Sequence, residues 1–133
     1  MVQKNESTIE SRMAGIDDER LAAAAEPALE PGLEIIDPHH HFWDFPTHRY
    51  MLEELHEDVD SGHNIIATVF IECAAFYRQD ASRAMRVVGE VEAVNGLSAV
   101  AASGRFGPLK AAAGIVGFAD LTLGAEVENV LRA

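Results

Sequence analysis

Three consecutive histidines, His39, His40 and His41, follow Asp37 and Pro38 directly and run straight into Phe42, Trp43 and Asp44. Imidazole is a common ligand of zinc and other divalent cations, and residues two apart on a strand project from the same face. His39 and His41 therefore have the spacing to share one divalent cation. His40 has the opposite parity and is read as structural. A cation held this way polarises carbonyl groups and lowers the pKa of bound water, the chemistry of hydrolysis.

The element that must position this pair is a strand. Leu33, Ile35 and Ile36 form a short apolar run ahead of the motif, and Pro38, which cannot donate to a sheet ladder, puts the histidines at the strand end. That rim is where α/β folds hold their sites. The stretch Phe42 to Pro46 reads as the entry to a loop, with Phe42 and Trp43 as core or loop-anchoring aromatics. Leu52, Leu55 and Val59 recur at helical spacing among Glu53, Glu54, Glu57, Asp58 and Asp60, which predicts a short amphipathic helix with a solvated acidic face, ending near Gly62.

Asn64 to Cys73 is a β-branched apolar run of strand length and predicts a second strand, covered on both faces. Ala84, Val87, Val88, Val91 and Val94 predict a helix interrupted at Asn95 and Gly96. Residues 113–120 predict a third strand and residues 125–133 the start of another helix. This βαβαβα order implies a parallel sheet in the order one, two, three, with helices on one side. His39, His41, Glu72 and Asp120 are expected at its common carboxyl rim. Glu72 and Arg78 are the candidate substrate-binding residues, although both, like Tyr77, are equally suited to ordering the loop after strand two. Cys73 reads as a small buried residue with no base beside it.

Composition sets the class. The chain has 133 residues, 48% of them hydrophobic, enough for one ordinary core. Residues 1–32 read as a polar leader with a helix-prone patch from Leu21 to Glu26, and residues 33–133 as the folded domain. Twenty-two acidic residues against ten basic ones give a net charge of −12, which opposes nucleic-acid backbones and anionic lipid surfaces. The expected partner is a small-molecule substrate, with no nucleic acid and no membrane. A single cysteine and an N-terminus without an apolar core make the cytoplasm the expected location.

The run from Asp37 to Asp44 resembles the strand-one signature Asp-x-His-x-His of the amidohydrolase-related metal-dependent hydrolases, which are (β/α)8 barrels. The stretches ATVFIECAAFYR and AAGIVGFADL are similar to strands two and three of the branch containing sugar and dicarboxylate lactonases. The resemblance covers Pro31 onward, and His39 and His41 match the family's first two metal ligands. It implies an α/β fold that is the N-terminal βαβαβα portion of an incomplete TIM barrel. It also implies hydrolysis of a lactone, amide or similar carboxylic substrate by water activated on zinc or manganese. Some lactonases of this branch work without a metal, in which case the pair contacts substrate. Family members draw further ligands from strands four to six and a catalytic aspartate from strand eight. A full barrel takes about 250 residues, so the chain is expected to be an N-terminal part, not competent alone.

Two other classes fit the same residues. A truncated barrel can act as a non-catalytic interaction module that self-associates through open sheet edges. A cupin-type barrel also uses His-x-His, but a glutamate follows its second histidine within a few residues; here Phe45 and Pro46 stand there, and helices interleave the strands.

Overall fold

In the computed structural model, residues 18–46 and 48–133 are described, so residues 1–17 of the leader lie outside them. A short helix, α1 (Asp18–Ala23), overlaps the helix-prone patch. The leader beyond it stays on the surface, with Leu29 99% exposed.

The three predicted strands form one parallel sheet. They are β1 (Glu34–His40), β4 (Asn64–Ile71) and β5 (Lys110–Val116), with β4 in the middle. The third strand starts and ends a few residues earlier than the sequence predicts. Between β1 and β4 lies a feature the sequence reading missed, an antiparallel hairpin of β2 (Trp43–Phe45) and β3 (His48–Tyr50). Its alternation is visible in hindsight: Trp43, Phe45, His48 and Tyr50 are partly buried, while Asp44 and Arg49, opposite each other in register, are exposed.

Helix α2 (Leu52–Val59) begins where the Glu54 carboxylate accepts the Met51 amide at 2.8 Å, which caps the first turn from one side. Helix α3 (Val88–Val100), entered through a 3-10 turn at Met85–Val87, runs unbroken past Asn95 and Gly96. The predicted interruption does not occur, because a single glycine weakens a helix without ending it when the flanking turns are packed. The helix ends in a π-helical turn, Ala101–Arg105, where Gly104 takes φ 82°. After β5 the chain passes through a 3-10 segment, Leu121–Val127, into α4 (Glu128–Leu131).

One face of the sheet carries the core. Phe42 and Phe70 stack with ring centroids 5.9 Å apart, and Leu52 and Leu55 of α2, Val94 of α3 and Phe106 close over them. The apolar residues of opposite parity fare differently. Gly114 and Val69 share the other face, as a Cβ on Gly114 would meet Val69 Cγ1 at 3.4 Å. Ile36 and Val116, on that same side by register, are 59% and 48% exposed. Strand two is thus covered by helices on one face only. Among the described residues no closed barrel forms, and no helix is long and apolar enough to cross a membrane.

Candidate functional site at the carboxyl rim

The histidine motif departs from simple strand geometry at Asp37-Pro38. Pro38 has no amide hydrogen, and the His39 amide donates to Asp37 Oδ1 at 3.0 Å instead of to β4. The pairing register shifts between Asp37 and His40 in consequence. His40 then returns to the ladder opposite Phe70, with its ring in the core and only 7% exposed.

His39 and His41 meet on the other side. Their Nε2 atoms are 3.3 Å apart and their rings are perpendicular, with centroids at 5.0 Å. His41 Nδ1 donates to the Ile71 carbonyl at 2.8 Å, at the carboxyl end of β4. A carbonyl can only accept, so Nδ1 carries a hydrogen, the tautomer that leaves Nε2 as the ring's lone-pair nitrogen. Trp43 stacks on the His41 ring at 5.6 Å and 27°, supported by His48 and Tyr50 from the hairpin. The Trp43 indole N–H is buried with no acceptor among the described residues.

His40 anchors the motif from behind. The Ala112 amide donates to Thr68 Oγ1 at 2.9 Å, and the Thr68 hydroxyl donates to His40 Nε2 at 2.9 Å. Thr68 thus ties all three strands together at a point where β5 bulges and Ala112 adopts φ 49°. Burial pushes the His40 pKa down, which disfavours the charged ring.

The loop after β4 is held by a residue that the sequence reading did not select. Glu90 of α3, 1% exposed, accepts the amides of Ala75 at 2.7 Å and Cys73 at 3.2 Å. Burial pushes its carboxyl pKa up. Its signal in the sequence is position: a glutamate in helical phase with Val87 and Val94, on the face a helix normally keeps apolar. Burial also pushes the Cys73 thiol up to about 12, with Glu90 adding to the effect, which leaves it unreactive.

The remaining predicted rim residues do not join the imidazole pair. Glu72 follows the end of β4, half-buried, its amide donating to the Val116 carbonyl at 2.9 Å. Arg78 forms an ion pair with Glu92 of α3, Nε to Oε2 at 2.8 Å, and so ties the loop to that helix. Asp120 caps the following turn, accepting the Thr122 amide at 3.0 Å, and does not converge on the histidines. Among the described residues no group of three or more metal-ligating side chains is gathered.

No family model, curated protein or solved structure matches the chain. The geometry of the rim therefore carries the functional argument alone.

Proposed function

We propose that this chain supplies the first strands of a (β/α)8-barrel hydrolase of the amidohydrolase-related kind, with His39 and His41 as two ligands of a divalent cation. The observation that carries this reading is the facing Nε2 pair. In a tetrahedral zinc site with Zn–N bonds of about 2.0–2.1 Å, two ligand nitrogens stand about 3.3–3.4 Å apart, and the observed separation is 3.3 Å. The Nδ1–H bond from His41 to the Ile71 carbonyl is the kind of outer contact that orients a ligating histidine. Two imidazole nitrogens suit zinc, and manganese would need oxygen ligands beside them. The uncovered face of the sheet, with Ile36 and Val116 exposed, is also what the inside of an unfinished barrel looks like.

When bound, the cation supplies a Lewis acid and an activated water for attack on a lactone, amide or similar carboxylic carbonyl. The chain's own residues do the positioning: Asp37 holds the His39 amide, Ile71 orients His41, and Trp43 covers its ring. Two imidazoles bind a cation weakly, since protein zinc sites have three or four ligands. The reading therefore needs further ligands and an acid-base carboxylate beyond residues 18–133. Turnover by this chain alone is not expected.

Cobalt(II) titration followed by visible spectroscopy tests the pair. Absorption bands of histidine-bound cobalt should develop in the parent protein and in His63→Ala, and disappear in His39→Ala and His41→Ala. Equal binding by all four would remove the metal reading and leave the pair as a substrate contact. Further βα units carrying histidines and an aspartate in the coding sequence past Ala133 would support the barrel reading, and metal-dependent lactone turnover by the isolated chain would overturn the claim that those units are needed.

A second reading draws on the open edges of the sheet. The order β1-β4-β5 leaves one edge of β1 and one of β5 unpaired in this sheet, and an interaction module could use both edges to associate with a second copy.

A further inference from the structure

A groove of about 590 Å3, away from the imidazole pair, opens between the loop after β4 and the segment after β5, walled chiefly by Tyr77, Arg83, Arg86, Val87, Phe118 and Asp120. Neither His39 nor His41 borders it. In a chain of net charge −12, arginines readily find carboxylates: Arg49 pairs with Glu53 and Glu54, Arg78 with Glu92, and Arg132 with Glu128. Among the described residues, no ion pair forms at Arg83, Arg86 or Arg105. Arg83 and Arg86 line the groove, where the bonds from Thr122 and, after them, the charge of Arg83 hold the Asp120 carboxyl below its usual pKa, whereas Arg105 lies over the Phe106 ring. Arg86 makes one long bond, Nη2 to the Gln79 carbonyl at 3.4 Å; its Nε, with no acceptor among the described residues, is shielded from solvent, so a ligand in the groove would bond its Nη groups. A guanidinium carries five donors in a planar fork, and donors left unmatched in a concave wall favour a ligand that brings the acceptors.

The rest of the wall narrows the ligand class. Asp120 is its one carboxylate, and Oδ1 is occupied by the Thr122 amide and hydroxyl at 3.0 and 2.5 Å. Two guanidinium groups against one carboxylate leave the wall net positive. Phe118, 46% exposed, and Val87 provide apolar surface. Burial pushes the Tyr77 phenol up to about 12, so it remains a donor at neutral pH.

We propose that this groove binds a small aryl carboxylate, with the anion on Arg83 and Arg86 and the ring system between Tyr77 and Phe118. Arginine matches carboxylate geometry with paired N–H donors, and the volume lies within the roughly 300–1,000 Å3 of small-molecule sites.

Isothermal titration with 2-naphthoate, and with neutral 2-naphthamide as its uncharged match, tests the proposal. The acid should bind at least about tenfold tighter than the amide, as expected when charge-assisted bonds are lost. Arg83→Gln and Arg86→Gln should each weaken the acid several-fold and leave the amide unchanged. Arg105→Gln, whose guanidinium lies over the Phe106 ring, should change neither. Arg83 is exposed, so its replacement leaves the fold intact and keeps the test decisive if Arg86→Gln unfolds. Equal affinity for acid and amide, or indifference to both arginine variants, overturns the proposal. Inorganic phosphate displacing naphthoate at equal concentration overturns the aryl class in favour of a simple anion site. His41→Ala should leave naphthoate binding unchanged, so this outcome is independent of the cation reading.

Discussion

At Thr68 one side-chain oxygen serves three strands. Its hydroxyl receives the Ala112 amide and donates to His40, and the residue is fully buried. Valine has the same shape without the hydroxyl, so Thr68→Val strands two buried polar groups. Urea unfolding should show a loss of about 1–3 kcal/mol or somewhat more, the cost of unsatisfied buried partners. His40 adds a pH dependence of definite sign. Its folded pKa is held below the usual 6.5 by burial, so on acidification the unfolded chain takes up the proton first. The stabilisation is complete above about pH 6.5 and is lost as pH falls from there toward the folded value. Glu90 acts in the opposite sense, because its raised pKa makes the folded chain bind a proton more readily above 4.5. The His40 contribution is isolated by comparing urea midpoints at pH 7.5 and 5.5. The drop between them should shrink in His40→Asn, and an unchanged drop would assign it to other groups.

Within α3 two glycines that look alike in sequence sit in different surroundings. A Cβ on Gly89 would lie 2.7 Å from the Phe76 carbonyl oxygen and 2.8 Å from the Arg78 amide nitrogen, both backbone atoms that cannot swing aside. Gly96 has nothing within 4 Å of the same position. Alanine in place of glycine in a helix interior gains about 0.8–1.0 kcal/mol by propensity alone. Gly96→Ala should therefore raise the melting temperature. Gly89→Ala should lower it, by displacing the loop in which Ala74 and Phe76 already hold φ of 63° and 56°. Thermal melts of the two variants give opposite signs if the close approach of α3 to this loop is as described. The same contact explains how Glu90, next to Gly89, comes near enough to clasp the Cys73 and Ala75 amides.

For the whole molecule, the contrast between the two faces of the sheet is the main consequence. One face is closed by α2 and α3, while Ile36 and Val116 on the other remain largely in water. Apolar surface exposed in this way is unfavourable by about 25 cal/mol per Å2, and the two strand edges add unpaired backbone groups. Self-association is the expected response. Size-exclusion chromatography with light scattering should find dimers or larger species, and a Val116→Lys, Ile36→Lys double variant should shift them toward monomer. A parent protein that runs as a sharp monomer at all concentrations would exclude association through this face.

The pattern of apolar runs and amphipathic stretches was enough to determine the parallel order of the three strands, the helix over Leu52–Val59 and the facing of His39 and His41. The strand order follows from the alternation of strands with helices and the handedness of their crossovers, and the helix and the histidine facing from local periodicity, which survives in a single chain. The opposite parity of His40 was legible for the same reason. Which face of β4 would be buried was not, since Phe70 and Val69 are equally apolar and only the packing of α2 and α3 distinguishes them. The hairpin at Trp43–Tyr50 escaped because its strands are three residues each, too short for alternation to stand out. Asp120 was placed by sequence at the rim with the histidines, yet a local bond to Thr122 took its carboxylate first. Glu90, Arg83 and Arg86 acquire their roles only through neighbours many residues away or across a groove. Tertiary structure decided those roles because burial and partner distance, unlike periodicity, depend on which distant segments the chain brings together.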